Sequence, residues 1–218
     1  MLVVGIDTSE SRGSVALVDG AGLAVERALA EPLRHAECLL PTVSESLAET
    51  GLSVQDVGAV CVNLGPGSFT GLRIGLATAK GLCQALGVPL RGVEGTQAYR
   101  HQAGAEAHRV CVVIASRHDM VYARWYAGMK PTTATLALRE ADLVERLVHD
   151  ERPVLVVGSG AVRAVGAVAV PERVRLGRPE ALSPSALAVA RLGLELRDSN
   201  LCELEPLYTE PLLGAVGR

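Results

Sequence analysis

The chain has 218 residues, 49% of them hydrophobic and 21% charged, with a mean hydropathy of +0.28. That composition excludes disorder and fibre and supplies a sizeable core, and at about 100–200 residues per domain the length fits one large or two small domains. With 21 Lys+Arg against 24 Asp+Glu, the net charge is −3 and the pI is near 6.0, so there is no global basic field for autonomous nucleic-acid binding. At 3% aromatics, stacking surfaces are sparse and the core is expected from Ala, Val and Leu.

In chain order, Leu2 to Ile6 is a strand-length apolar run ending in the polar turn Asp7-Thr8-Ser9. Ser14 to Val18 resumes as a strand, and Asp19 to Gly22 turns it into a third, Leu23 to Ala30. Ala36, Leu40, Val43 and Leu47 recur at helical spacing, with Gly51 as the stop. Because Pro41 has no N–H to give, this helix is expected to start near Glu37 or Cys38. Val57 to Leu64 reads as a strand, Gly65 to Ser68 as a turn, Thr70 to Leu86 as a long helix and Leu90 to Val93 as a short strand, giving the order βββαβαβ.

The second half reads as strands at Val110–Ala115, Val121–Tyr126 and Thr133–Leu138 and a helix at Glu140–Val148. A strand at Val154–Val157 and a closing helix at Ser183–Arg197 follow. The duplicated order predicts an α/β protein of two lobes with mixed sheets flanked by helices, an amino-terminal lobe over 1–96 and a smaller, degenerate one over 97–218.

The five cysteines (Cys38, Cys61, Cys83, Cys111, Cys202) have no CxxC spacing and read as reduced, mostly buried thiols. No basic n-region precedes the first strand and no run reaches the length of a membrane span, so a soluble, cytoplasmic protein with no membrane partner is expected.

Two places carry polar chemistry on glycine turns. Asp7-Thr8-Ser9 at a strand end, with Gly65, Gly67 and Ser68 before the long helix, is the arrangement that offers hydroxyls and N–H groups to phosphate oxygens. Gly65 to Gly75 is neither a Walker loop nor GxGxxG, since Lys80 lies too far along and Thr70 replaces the third glycine. Gly158-Ser159-Gly160-Ala161 has Arg163 in that place and reads as a structural turn. His35, His101, His108, His118 and His149 form no HxxxH or HExxH pair, and no serine sits in G-x-S-x-G, so neither a catalytic residue nor a metal ligand is assigned. On the long helix, Leu72, Leu76, Ala79 and Cys83 share the face expected to pack on the sheet, and Gly71, Ile74, Gly75, Thr78 and Leu82 form a flank open to a close helix approach.

Together, Asp7-Thr8-Ser9, His35-Ala36-Glu37, Leu39-Leu40-Pro41, the block Gly65 to Gly75, Ala79-Lys80-Gly81 and Glu205-Pro206-Leu207-Tyr208 resemble the bacterial TsaB (YeaZ) family. The resemblance implies an actin-like, RNase H-like ATPase fold and a non-catalytic scaffold for threonylcarbamoylation of N6 of the adenosine beside the anticodon of tRNA. It implies a heterodimer with the paralogue TsaD, the ATPase TsaE in a larger complex, a homodimer when alone, and tRNA contact only through the partners. No cofactor is implied for the chain itself; ATP or ADP and a divalent metal belong to the partner subunits. The family's pairing surface corresponds to the two helices of the first lobe, with Leu39, Leu40, Val43, Gly71, Ile74, Gly75, Thr78 and Leu82 as interface residues. Asp7, Thr8, Ser9, Gly65, Gly67 and Ser68 would be a vestigial phosphate site. The chain departs from the family where Ala115-Ser116-Arg117 stands in place of Asp-Ala-Arg. The alternatives are a stand-alone ATP-dependent kinase of the same superfold, motivated by Asp7-Thr8-Ser9 and the Gly158 turn, and, with less weight, a metallopeptidase.

Overall fold

The computed structural model describes residues 1–31, 34–166 and 169–209. Strands β1 (Leu2–Asp7), β2 (Ser14–Val18) and β3 (Ala24–Ala28) form an antiparallel meander. Helix α1 (His35–Glu49), strand β4 (Val57–Asn63), helix α2 (Phe69–Leu86) and strand β5 (Leu90–Val93) add two parallel strands, in the order β3-β2-β1-β4-β5. β1 and β2 are buried on both faces, so they read as unbroken apolar runs rather than alternating ones. Val4, Ile6, Val15 and Leu17 pack with Leu39, Val43, Leu47 and Leu76 of α1 and α2 in one cluster, while Val3, Ala16, Ala59 and Cys61 face the other way.

Helix α1 starts at His35, two residues before the predicted start, and carries Pro41 in its interior. Pro41 and Glu37 are both exposed, so solvent serves the Glu37 carbonyl that a prolyl nitrogen cannot reach with an N–H, and the proline is tolerated outside the first turn. Helix α2 matches its prediction to within one residue. Ser68 Oγ accepts from Gly71 N at 3.2 Å at its start, and Gly87 closes it at φ 67°.

Helix α3 (Gly95–Gln102) occupies a segment expected only as a boundary. Its Arg100 is 1% exposed and donates to the carbonyls of Gly128 at 2.6 Å, Gly104 at 2.9 Å and Ala107 at 2.8 Å. Main-chain oxygens thus satisfy a buried guanidinium that no carboxylate joins in these three bonds. The second sheet is built from β6 (Arg109–Ala115), β7 (Met120–Ala127), β8 (Lys130–Pro131) and β9 (Leu136–Arg139). It continues through α4 (Glu140–His149), β10 (Val154–Val157), α5 (Ala161–Val165) and β11 (Val174–Leu176), in the order β11-β10-β6-β7-β8 with β9 beside β7. The Gly158 turn is structural, as its sequence indicated: Gly158 has φ 100°, Ser159 Oγ accepts from Ala115 N at 3.0 Å, and Gly160 N donates to Val113 O at 3.0 Å.

The closing helix α6 (Ala186–Glu195) belongs to the first unit, not the second. The chain divides into one unit of Met1–Ala98 with Pro184–Leu207 and a second built on Tyr99–Ser183, so residues 184–207, expected in the second lobe, belong to the first unit. Residues 210–218 of the expected second lobe lie outside the described residues. The return is a packing result. α6 lies so close to the sheet that a Cβ on Gly5 would run into Ala186 O, and one on Gly193 into Cys61 Sγ. Glu26 of β3 accepts from Ser185 Oγ at 3.0 Å and Leu187 N at 3.3 Å, and Ser14 Oγ accepts from Ala186 N at 3.0 Å, so the amino end of α6 is held by a carboxylate and a hydroxyl.

Cys61, Cys83 and Cys111 are buried, Cys38 is partly so, and Cys202 is exposed against expectation, because it lies on a surface segment rather than in an element. Burial pushes the thiol of Cys61 up to about 12 and that of Cys83 up to about 11. Among the described residues, no helix is long and apolar enough to cross a membrane.

The close approach of α6 sets the first test. Gly5→Val should destabilise the protein by about 1–3 kcal/mol or more through overpacking, read as a fall in the urea unfolding midpoint. An unchanged midpoint would mean that α6 does not sit against β1.

Candidate functional site

At the carboxyl ends of β1 and β4 the polar residues turn toward one another. Asp7, Thr8 and Ser9 are 1%, 1% and 2% exposed. Asp7 Oδ1 accepts from Ser9 N at 2.9 Å and Ser9 Oγ at 2.7 Å, and Asp7 Oδ2 accepts from Asn63 Nδ2 at 2.8 Å. Asn63 also takes Gly65 N on its own Oδ1 at 2.8 Å, which fixes the start of the glycine turn. Ser68 N donates to Ser9 O at 2.6 Å, and Gly65 O accepts from Gly95 N at 2.8 Å. Thr8 Oγ1 donates to Gly71 O at 2.8 Å.

The six residues expected to form a vestigial phosphate site are therefore brought together, but as a closed network. The Asp7 carboxylate, the Thr8 and Ser9 hydroxyls and the N–H groups of Ser9, Gly65 and Ser68 are engaged within the protein, and a Cβ on Gly67 would run into Ser9 O. The donors named here are turned toward one another rather than outward. Gly67 is partly exposed and Ser68 exposed at the rim of this network. Asn63, which closes the network, went unnoticed in the sequence; a polar residue ending an otherwise apolar strand was its only signal.

The expected interface residues divide in two. Leu39 and Val43, at 0% and 4% exposed, belong to the core rather than to a partner surface. Gly71 and Gly75 serve a contact inside the lobe: a Cβ at Gly71 would run into Thr8 O, and one at Gly75 into Thr8 Oγ1. Small residues there admit the end of β1, not a second helix. Leu40 is 51% exposed, and Ile74, Thr78 and Leu82 are partly buried.

Between and beside these, α2 presents a wider face than the expected interface residues define. Thr70, Ala77, Gly81 and Ala85 are exposed and, with Ile74 and Thr78, cover about 100° of the helix without one charge. Arg73, Lys80 and Gln84 lie to one side of it. Gly81 stands in the interior of an 18-residue helix with nothing among the described residues within 4 Å of where its Cβ would be, so no packing among them offsets the roughly 1 kcal/mol that glycine costs relative to alanine. The spacing of Ala77, Gly81 and Ala85 at i, i+4, i+8 is the sequence signal that would have found this face. Among the described residues, no group of three His, Cys, Asp or Glu side chains is placed to hold a metal ion.

Burial raises the pKa of Asp7 above the ordinary 3.8, against the lowering effect of its bonds to Ser9 and Asn63. For a folded-state pKa that is raised, the linked stability is fully present below the unfolded value and is lost as pH rises through the folded one. Asp7→Asn removes that titration. Its destabilisation relative to the parent should be largest at and below the ordinary 3.8 and shrink as pH rises through the folded-state pKa, as read from urea midpoints across a pH series; a constant difference would refute the raised pKa.

The family model described as "TsaD: tRNA N6-adenosine threonylcarbamoyltransferase" matches residues 31–193. An uncharacterized protein of Mycobacterium tuberculosis is 34% identical over 190 residues, covering 86% of this chain and 83% of its own. The tRNA threonylcarbamoyladenosine biosynthesis protein TsaB of Escherichia coli is 35% identical over 124 residues, 56% of this chain and 53% of that one. Among solved structures, YeaZ from Pseudomonas aeruginosa superimposes with a TM-score of 0.77 at 26% identity, covering 95% of this chain and 99% of that one. The inorganic polyphosphate/ATP-glucomannokinase of Arthrobacter shares the fold alone, with a TM-score of 0.51 at 14% identity over 89% of this chain and 99% of that one. The two mixed sheets flanked by helices are thus the actin-like fold, and with these matches the chain belongs to the TsaB/YeaZ family.

Proposed function

We propose that this protein takes part in the biosynthesis of threonylcarbamoyladenosine in tRNA, as a non-catalytic subunit that pairs with a TsaD-type transferase. The first part follows the family, whose Escherichia coli member is named for that pathway. The second part is carried by one observation, the uncharged outer face of α2 centred on Gly81, a helix glycine that serves no contact within the lobe. Exposed Leu40 on α1 adds an apolar side chain to the helical pair.

In this reading the partner supplies the transferase site, the divalent metal and most of the tRNA contact, a TsaE-type ATPase joins the larger complex, and the chain needs no cofactor of its own. The homodimer formed in the absence of partner uses the same face. The stand-alone kinase reading is disfavoured by the Asp7 network, since a kinase of this fold needs phosphate access to residues that here are at most 2% exposed.

Three substitutions in one helix separate pairing from folding. Gly75→Leu drives a side chain into Thr8 and should lower the melting temperature sharply, at a cost of about 1–3 kcal/mol or more. A Cβ at Gly81 has nothing within 4 Å among the described residues, so Gly81→Leu should leave the melting temperature unchanged or raise it, by up to about 1 kcal/mol in stability. Gly81→Leu and Ala77→Asp should nevertheless abolish co-elution with the TsaD-type chain in size-exclusion chromatography and the threonylcarbamoylation of tRNA by the reconstituted enzymes. Wild-type pairing by both variants would overturn the proposed face.

A further inference from the structure

We infer that two copies of this chain pair along α1 and α2 about a two-fold axis that runs with the helices, so that α1 of each copy lies over α2 of the other and Lys80 meets the carboxylates of Glu45 and Glu49. This rests on the pairing reading above and fixes how its face is turned toward a second copy. Strands β1 and β2 are antiparallel, as are β2 and β3, so β3 runs in the same direction as β1, β4 and β5. Both α1, from β3 to β4, and α2, from β4 to β5, are therefore crossovers between parallel strands, and the two helices run the same way. Both also start beside the β1–β2 turn: His35 Nε2 lies 3.2 Å from Ser11 O, and Ser68 N donates to Ser9 O at 2.6 Å.

Charge is divided across this helix pair. On the flank of α1 turned toward β3, the Arg27 guanidinium bonds Glu45 at 2.8 Å and Glu49 at 2.5 Å. One cation between two carboxylates, each 61% exposed, leaves that flank negative. On α2, Gly71 and Gly75 meet Thr8 of β1, which is the side of α1, so the opposite flank, with Arg73 and Lys80, is turned toward β5. Lys80 is half-buried and has no ion pair among the described residues. Between the flanks, past the first turn of α1, the exposed residues are Leu40, Ser44 and Ala48 of α1 and Ala77, Gly81 and Ala85 of α2, without one charge.

A two-fold pair requires a surface that complements itself. An axis across the helices would set α2 on α2, with Lys80 facing Lys80 and the Glu45 and Glu49 carboxylates facing their own copies. An axis along the helices sets each flank on its opposite. Depth agrees as well. Glu45 is the eleventh residue of α1 and Lys80 the twelfth of α2, so at about 1.5 Å per residue they lie almost level, measured from the common start.

The test is the self-association constant of the full-length chain by analytical ultracentrifugation. Lys80→Glu should raise the dimer Kd by about tenfold or more at low salt, because two ion pairs per dimer become two repulsions, and the gap to the parent should close near about 1 M salt. Its melting temperature at concentrations where the chain is monomeric should not change. Adding Glu45→Lys to Lys80→Glu in the same chain should restore the parent Kd, since each copy then presents both charges exchanged. If Lys80→Glu dimerises as tightly as the parent, or the double variant pairs no better than Lys80→Glu, while Gly81→Leu fails to pair, the orientation is wrong and the face stands. A parent chain that stays monomeric overturns this inference alone. If Gly81→Leu also binds the TsaD-type chain as the parent does, the pairing reading fails with it.

Discussion

The first lobe depends on how closely the amino-terminal half of α2 can approach the end of β1. Thr8 projects into the space that side chains at residues 71 and 75 would otherwise fill, and both positions are glycine. With Thr8 Oγ1 bonded to Gly71 O, Ser68 N bonded to Ser9 O, and Asn63 bridging Asp7 to the glycine turn, strand end, turn and helix start form one rigid unit. Hydrogen bonds of this kind are individually worth about 1 kcal/mol, but leaving a buried partner unmatched costs about 1–3 kcal/mol, so the network holds as a set.

That constraint bears on function in two ways. It uses the polar groups of Asp7, Thr8, Ser9, Asn63 and Ser68 to join secondary structure. It also aims α2 so that the face with Ala77, Gly81 and Ala85, about 100° round the helix from the side that meets Thr8, is exposed. A chain built this way keeps the architecture of an ATPase lobe while its clearest unexplained feature is a surface.

Much of this was legible in the residues. The first seven elements follow from apolar runs, Gly/Pro punctuation and the Ser68 cap, and the family from a block of adjacent motifs. What escaped had physical causes. Helix α3 lacks a strong apolar stripe because Arg100 replaces part of it, satisfied by the carbonyls of Gly104 and Ala107 just after the helix and of Gly128 further along. Interior Pro41 was misjudged because the tolerance depends on which face of α1 is wet. Gly71 and Gly75 looked like a helix–helix contact because a glycine records that something comes close without recording what.

The sequence by itself determined the two-lobed α/β architecture, the reduced cysteines of the core and the family, since these rest on periodicity and on short motifs whose signal is local. Only the tertiary structure decided that α6 returns to the first lobe, that Asp7, Ser9 and Asn63 face inward, and which flank of α2 is free. Each of these depends on contacts between residues about 50 to 190 positions apart, Asp7 with Asn63, Gly5 with Ala186, Thr8 with Gly75, and no local pattern encodes which distant group fills a given space.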